Sequence, residues 1–256
     1  MTTELLTERI DQTLLITLSG PATRNALSPQ VYAAGVELLN VSDADPGVRA
    51  VVLTGSGEHF CGGGDLQRLS HLRVHDPAQQ ARHVEDFHRW VEALRTSPKP
   101  VIAAVEGVAA GGGLSLALAC DLVVASDSAR FVSAYSRVGL SPDGGGSWHL
   151  TRQLSRGQAL AWLWSGDERS AHQLQQAGLV HEVVPSGTAR SAALALAKRL
   201  AQVPQGVLAS MKELVNDAPH QPLGAQLQQE QHHFMDNLLS LEAGHAIQAF
   251  LQRKKP

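Results

Sequence analysis

The sequence predicts an α/β fold with mainly parallel strands, followed by a helical C-terminal region. Short apolar runs, which are typical of buried strands, alternate with helical segments through the first part of the chain. Two glycine-rich loops each follow such a run and precede a helix. From Ser155 onward the pattern is almost entirely helical, and the last quarter is rich in Gln, Leu and Ala.

The individual elements follow from apolar periodicity and from the residues that begin and end helices. Strand patterns cover residues 14–18, 49–54, 101–105, 122–125 and, as the only strand after Ser155, 180–184. Helices are predicted to begin after Ser28, which would be the N-cap, and near Asp65. Further helices are predicted over residues 78–95, 114–119, 189–202, 205–216 and 223–250. We divide the chain into a core of residues 1–195 and a C-terminal helical oligomerisation region of residues 196–256.

Composition excludes several classes of function. With 256 residues, 43% of them hydrophobic, the chain can bury a sizeable core. A net charge of -3 argues against general nucleic-acid binding, which needs clustered Lys and Arg. The N-terminal residues do not resemble a signal peptide, and the longest apolar stretch, residues 101–119, is broken by Glu106 and three glycines. We therefore expect a cytoplasmic protein that does not enter a membrane, with its two cysteines reduced.

The two glycine-rich loops, residues 55–65 and 107–115, are candidates for a site that receives negative charge. Glycine lets a ligand approach the main chain closely, and a helix start presents unpaired N–H groups. Three interpretations remain open: simple tight turns, a nucleotide-phosphate site, or an oxyanion hole with one N–H from each loop. The phosphate interpretation is the weakest, because neither a complete GxGxxG nor a Walker motif is present.

Several segments resemble the enoyl-CoA hydratase/isomerase (crotonase) superfamily. The segment FCGGGDL at residues 60–66 is similar to the family's F-C-A-G-x-D-L, and residues 98–113 are close to its most recognisable stretch. The turn with Arg24-Asn25-Ala26-Leu27, residues 139–147 and residues 177–180 extend the resemblance, which covers roughly residues 5–250. It implies a spiral of β-β-α units, a helical trimerisation region, and a homotrimer or a dimer of trimers.

The resemblance also implies how an acyl-CoA substrate would be held. The N–H groups of Gly64 and Gly112 would form the oxyanion hole for the thioester enolate, and coenzyme A would enter only as part of the substrate, with no permanent cofactor. Arg24 matches a position that often contacts a CoA phosphate, and the cluster of residues 253–255 is a second candidate. The predicted substrate- and CoA-binding residues are Arg24, Ala26, Gly62, Gly63, Asp65, Leu66, Gly111, Tyr135, Trp148 and Lys254.

The side chains at three further positions bear on the reaction. Hydratases that the chain resembles carry two glutamates, and the matching positions here are Ser115 and Tyr135. Asp143 would replace them: the resemblance to enoyl-CoA isomerases makes it the single acid–base group that converts a 3-enoyl-CoA to a 2-enoyl-CoA. From the residues alone, a helix N-cap is the favoured interpretation of Asp143. A role in the degradation of fatty or aromatic acids would follow from the isomerase.

Other functions stay open at this point. Asp143 could act as a nucleophile, as in the 4-chlorobenzoyl-CoA dehalogenases that the chain also resembles, in which case His88 matches a catalytic histidine. Hydration or hydrolysis of an acyl-CoA is a further alternative, and a non-catalytic CoA- or RNA-binding protein is an alternative of another class. Tyr135 and Trp148 could line the acyl pocket or belong to the core. No metal-binding signature is present in the sequence.

Overall fold

The structure is a computed structural model that describes residues 2–252. The predicted basic cluster, including Lys254, lies outside the described residues. The chain divides after Leu200 into two compact units.

The first unit contains two sheets. Their strands are β1 (Glu4–Ile10), β2 (Thr13–Ser19), β3 (Ala50–Gly55), β4 (Val101–Val105), β5 (Val108–Ala110), β6 (Leu122–Ser126), β7 (Arg130–Val132), β8 (Glu168–Ser170) and β9 (Glu182–Val184). The larger sheet has the order β1-β2-β3-β4-β6-β9 and the smaller has the order β5-β7-β8. In the larger sheet every neighbouring pair except β1 with β2 is parallel, as the sequence predicted.

Eight helices of the first unit connect and cover these sheets. They are α1 (Pro29–Ala44), α2 (Leu66–His75), α3 (Pro77–Thr96), α4 (Gly112–Ala119), α5 (Gly146–Gln153), α6 (Arg156–Ser165), α7 (Ala171–Gln176) and α8 (Ala189–Leu200). Along the chain, β4 belongs to the larger sheet, the next strand β5 belongs to the smaller sheet, and the helix α4 comes after both. The same order recurs with β6 in the larger sheet, β7 in the smaller sheet and then α5. In each of these β-β-α units the helix therefore follows a strand of the smaller sheet.

The helices α1 and α2 begin where the sequence predicted, but only one of the two predicted caps forms. Ser28 does precede α1, but its hydroxyl donates to the Thr3 carbonyl instead of capping the helix. Asp65 is a side-chain cap of α2, accepting from the amides of Gln67 and Arg68. The Ser28 hydroxyl therefore bonds a residue that is distant in sequence, whereas the Asp65 carboxylate caps its own helix.

The second unit is helical, with α9 (Gln205–Asp217), α10 (Leu223–Leu238) and α11 (Leu241–Gln252). The single helix predicted over residues 223–250 is wrong, because the chain breaks at Ser240, whose Oγ accepts from the amide of Ala243. The prediction of only one strand after Ser155 is also wrong, because β8 pairs antiparallel with β7. No helix within residues 2–252 is long and apolar enough to cross a membrane.

Candidate active site

Three chain segments lie side by side where the two glycine-rich loops leave their strands. The amide of Cys61 donates to the Val108 carbonyl at 3.0 Å, and the amide of Ala110 donates to the Cys61 carbonyl at 3.0 Å. On the other side, the amide of Leu27 donates to the Gly63 carbonyl at 2.8 Å. The first loop is thus held between the turn at residues 24–27 and the second loop.

Asn25 holds the first loop through a side chain that is fully buried. Its Nδ2 donates to the carbonyls of Ser56 at 2.9 Å and His59 at 2.7 Å, while its Oδ1 accepts from the amide of Gly20 at 2.9 Å. Its backbone has a left-handed φ of 55°, which Asn tolerates better than most residues. One amide side chain therefore satisfies carbonyl groups that the turn would otherwise leave without partners.

Gly63 brings the two loops into contact. Its φ is +93°, and a Cβ built on it would lie 2.6 Å from the Ala110 carbonyl oxygen and 3.4 Å from the Gly112 amide nitrogen. A side chain here would push the loops apart. Glycine at this position is therefore required by both backbone conformation and close approach.

The amides of Gly64 and Gly112 donate no hydrogen bond to any residue between 2 and 252. By contrast, the Gly62 amide donates to the Arg24 carbonyl at 2.8 Å and the Gly111 amide donates to the Val132 carbonyl at 3.0 Å. Gly112 is also the first residue of α4, where the helix dipole favours negative charge. Two free N–H groups on touching loops are suited to an oxyanion.

Asp143 lies next to Gly112, and two hydroxyl groups surround it. A Cβ built on Gly112 would be 3.7 Å from Asp143 Oδ1. The Tyr135 hydroxyl donates to Asp143 Oδ1 at 2.7 Å, and the Ser115 hydroxyl donates to the Asp143 carbonyl at 2.9 Å. The two hydroxyl groups are 3.0 Å apart. The N-cap interpretation of Asp143 does not hold, because α5 begins at Gly146 with Gly145 as its cap.

Burial fixes the protonation of Tyr135. Desolvation, followed by the neighbouring Asp143, raises the pKa of Tyr135 far above its ordinary value. Tyr135 is therefore a permanent donor toward the Asp143 carboxylate.

In the first loop, burial likewise raises the pKa of the Cys61 thiol to about 12, so that this thiol is protonated and unreactive.

Apolar side chains complete the surroundings of Gly112. The built Cβ would meet Leu27 Cδ1 at 3.1 Å and Phe87 Cε1 at 3.6 Å. Both side chains are buried. The carboxylate of Asp143 and two buried apolar side chains therefore lie around the same glycine, and electrostatic interactions are stronger in apolar surroundings than in water.

The structure brings together only some of the predicted site residues. Gly62, Gly63, Gly64, Gly111 and Gly112 form the paired loops, and Tyr135 and Asp143 adjoin them. Ala26 and Asp65 line a neighbouring cavity. The side chains of Arg24 and Leu66 are exposed, so their contacts with CoA stay a prediction.

Two predicted residues face other surroundings. His88 is exposed on α3, whereas its neighbour Phe87 is the side chain that packs near Gly112. The ring of Trp148 lies against the guanidinium groups of Arg95 at 4.3 Å and Arg152 at 3.2 Å. The catalytic role of His88 and the acyl-pocket role of Trp148 draw no support from these contacts.

Asn25 and Phe87 belong to the site but were not predicted as site residues, although helix periodicity marks Phe87 as buried. The buried residues of α3 are Phe87, Trp90, Val91 and Leu94, which follow the spacing of one helix face. That spacing predicts Phe87 inside and His88 outside. No comparable pattern marks Asn25. Within residues 2–252, no group of three His, Cys, Asp or Glu side chains could hold a metal ion.

Comparison with known proteins supplies a family. The model of the enoyl-CoA hydratase/isomerase family matches residues 8–256. The chain is 35% identical over 244 residues to 1,2-epoxyphenylacetyl-CoA isomerase of Escherichia coli, covering 95% of this chain and 93% of the relative. It is 34% identical over 253 residues to 2,3-dehydroadipyl-CoA hydratase of the same organism, covering 99% of this chain and 97% of the relative.

A solved structure is more similar still. The crystal structure of an enoyl-CoA hydratase from Polaromonas sp. JS666 superposes with a TM-score of 0.96 at 50% identity, over 98% of both chains. A Geobacillus kaustophilus enoyl-CoA hydratase structure superposes with a TM-score of 0.91 at 34% identity, over 100% of this chain and 97% of that chain. The predicted fold class, an α/β spiral with a C-terminal helical region, is confirmed.

Proposed function

Because the chain belongs to the enoyl-CoA hydratase/isomerase family of acyl-CoA-processing enzymes, we propose that it shifts the double bond of a 3-enoyl-CoA to the 2-position. One observation carries this proposal. Asp143 is the carboxylate beside Gly112, and hydroxyl groups of Ser115 and Tyr135 stand where the resemblance places the glutamates of hydratases. One carboxylate suffices to move a proton, whereas the usual hydration uses two.

The mechanism assigns separate roles to main chain and side chain. The thioester oxygen accepts from the amides of Gly64 and Gly112, each donor contributing about 3 kcal/mol to the transition state. Asp143 takes a proton from C2, and the electron pair moves into the thioester carbonyl to give a dienolate. Asp143 then returns the proton to C4, the double bond forms between C2 and C3, and the thioester carbonyl is restored.

Tyr135 orients the base in this scheme. Its hydroxyl donates to Oδ1 of Asp143 and leaves the second carboxylate oxygen for the substrate proton. Ser115 fixes the main chain of Asp143 through its carbonyl. Both residues act through Asp143, so we assign them positioning roles.

Hydration of a 2-enoyl-CoA is the second candidate. It is favoured by the names of relatives, which include a 2,3-dehydroadipyl-CoA hydratase at 34% identity. It would require Asp143 to deliver a proton while a neutral group, Ser115 or Tyr135, held the attacking water. We rank it below isomerisation because neither hydroxyl is a base at neutral pH.

The first experiment tests Asp143 directly. Purified wild type and Asp143→Asn are incubated with a panel of 2-enoyl- and 3-enoyl-CoAs, and products are resolved by chromatography and mass spectrometry. We expect wild type to interconvert the isomers and the variant to lose about 100-fold or more of kcat, since it cannot accept the proton. The exposed Asp167→Asn makes the same chemical change away from the site and should retain full activity.

The same panel separates the alternatives. Addition of water to the product without isomerisation would contradict our proposal and favour the hydratase. Labelled oxygen from water in Asp143 after one turnover would identify a nucleophile, as in hydrolysis or dehalogenation. Tight CoA binding with no reaction on any thioester would indicate a non-catalytic binding protein, and unchanged turnover in Asp143→Asn would exclude the assigned role.

Further parts of the proposal concern ligand and assembly. Coenzyme A enters as part of the thioester substrate, and the chemistry needs no permanent cofactor. We also propose assembly as a homotrimer or a dimer of trimers through the second unit, where none of the residues of α9, α10 and α11 is fully buried.

A further inference from the structure

A cavity of about 410 Å³ with a mixed polar and apolar lining lies in the first unit. One side of it is formed by residues 26–30 and by Thr2, Thr3 and Thr23, and the other by side chains of α2 and α3. The titratable side chains that line it are Asp65, Arg68, His71 and His83. A few charged side chains in a largely apolar lining are suited to fixing one polar group of a ligand.

Arg68 brings a positive charge to this cavity without a counter-ion. Its Nη1 donates to the Leu27 carbonyl at 3.1 Å, and the hydroxyl of Tyr32 lies beside it, but both of these oxygen atoms are neutral. No carboxylate within residues 2–252 forms an ion pair with Arg68. The nearby Asp65 carboxylate is engaged as the cap of α2. A partly buried charge without a partner is costly, which indicates that something else supplies the negative charge.

Two unsatisfied polar atoms belong to side chains that line this cavity. Five buried side-chain polar atoms lack a hydrogen-bond partner within residues 2–252, and the cavity residues Arg68 and His83 carry two of them. The unpaired atom of Arg68 is Nε, and that of His83 is Nδ1. Burial and the charge of Arg68 lower the pKa of His83, so its ring is neutral at neutral pH and does not compete for an anion. A bound oxygen anion would satisfy Arg68 Nε.

The cavity adjoins the proposed reaction site. Leu27 lines it, and Leu27 Cδ1 would also touch a Cβ built on Gly112. Tyr32 connects the same two regions: burial raises its pKa to about 12, the charge of Arg68 opposes this shift, and the charge of Asp143 adds to it. A thioester held at Gly64 and Gly112 could therefore extend a polar end toward Arg68.

We propose that Arg68 binds an anionic oxygen group of the thioester ligand in this cavity. The group is either a carboxylate at the free end of the acyl chain or a phosphate of the coenzyme A. The first source would make the enzyme selective for acyl-CoAs that end in a carboxylate. The inference rests on the proposed function, in that the ligand is an acyl-CoA, but it concerns binding and does not depend on the reaction at Asp143.

Binding of unreactive thioesters tests the inference. We would measure dissociation constants by calorimetry for saturated acyl-CoAs that end in a carboxylate and for methyl-ended counterparts of the same chain length. The variants are Arg68→Gln and, as a matched control, Arg73→Gln, which removes the same charge from an exposed position on α2. We expect Arg68→Gln to weaken the carboxylate-ended thioesters by about 10-fold or more and the methyl-ended ones by less than about twofold.

Pantetheine thioesters, which lack every phosphate, identify the source. Equal weakening of both acyl series by Arg68→Gln that disappears in pantetheine thioesters would assign the anion to a CoA phosphate and support the site. The proposal would be overturned if Arg68→Gln weakened binding no more than Arg73→Gln does, or if it weakened both acyl series equally even in thioesters without phosphates.

If Arg68→Gln does not fold, Arg68→Lys is the fallback variant and keeps the charge. The selectivity between carboxylate- and methyl-ended thioesters should then fall by at least about threefold, because Lys lacks the planar fork of donors. Failure of the wild type to bind any acyl-CoA would instead contradict the proposed function.

Discussion

At the residue scale, Tyr135 changes the character of the site more than its sequence position suggests. Burial holds its hydroxyl in the protonated form, so it can only donate toward Asp143 Oδ1. Ser115 supplies a second hydroxyl that reaches the Asp143 main chain. The two positions that the resemblance matches to hydratase glutamates carry hydroxyl groups here, and both groups contact the single acid, Asp143.

We therefore expect Tyr135→Phe to reduce kcat on 3-enoyl-CoAs by about 10-fold while changing KM by less than about twofold. The ring remains to fill its place, but the carboxylate loses the donor that sets its orientation. Steady-state kinetics on the purified variant measure this split.

A matched control removes a different buried hydroxyl. Ser133 Oγ is buried without a hydrogen-bond partner among the described residues, so Ser133→Ala should leave kcat unchanged. A similar loss in both variants, or an unchanged kcat in Tyr135→Phe, would contradict the positioning role.

At the element scale, strands and helices that nearby residues determine could be predicted from the sequence, and those that depend on distant residues could not. The strand at residues 101–105 and the helix that starts near Asp65 agree with prediction because apolar runs and local caps determine them. The strand β1 was missed because its side chains are mostly exposed and do not alternate between apolar and polar. The short β8 was missed because its pairing with β7 comes from distant chain.

The same distinction between local and distant residues explains which parts of the candidate site could be predicted. The glycine loops could be located from sequence, since their composition marks them. The hydrogen bonds of Asn25 could not, because they join residues that are 31 and 34 positions apart. The free amides of Gly64 and Gly112 likewise depend on which carbonyl groups the fold brings near them.

His149 on α5 gives an element-scale prediction for stability. Burial, assisted by Arg95 and Arg152, lowers the pKa of His149 to about 4. In the unfolded chain the ring takes up a proton below its ordinary pKa of about 6.5, while the folded ring stays neutral. The free energy of unfolding should therefore fall by up to about 3 kcal/mol as pH decreases from 6.5 to 4.

Urea unfolding of wild type and His149→Gln across this pH range measures the effect. The variant should lose less stability on acidification than the wild type does. The exposed His88→Gln serves as the control and should follow the wild type. Parallel curves for wild type and His149→Gln would show that burial of His149 does not contribute.

At the scale of the whole molecule, the second unit carries exposed apolar side chains that a monomer would leave in water. Phe234 is 65% exposed and Leu239 is 78% exposed. A groove of about 550 Å³ on this unit is lined by apolar residues that include Met211, Leu214 and Leu227. Large exposed apolar surface of this kind is typical of protein–protein interfaces, which supports the proposed assembly.

We expect light scattering to give a trimer or a multiple of three for the wild type. The double variant Phe234→Asp, Leu239→Asp should shift the mass toward the monomer, because charged side chains would have to be desolvated in an apolar interface. Val41→Asp changes a side chain that is 62% exposed in the first unit and should leave the mass unchanged. A monomeric wild type would contradict this assembly.

Asn25 has a consequence for the thermodynamics of ligand binding. Because its buried amide already fastens the first loop to the turn at residues 20–27, the loop that carries the Gly64 amide is held in place without help from the substrate. Little conformational entropy should then be lost at the reacting end when a thioester arrives. The amides of Ser56, Phe60, Cys61 and Gly62, which donate backbone hydrogen bonds, should accordingly exchange slowly with deuterium in the free protein, and in Asn25→Ala they should exchange faster.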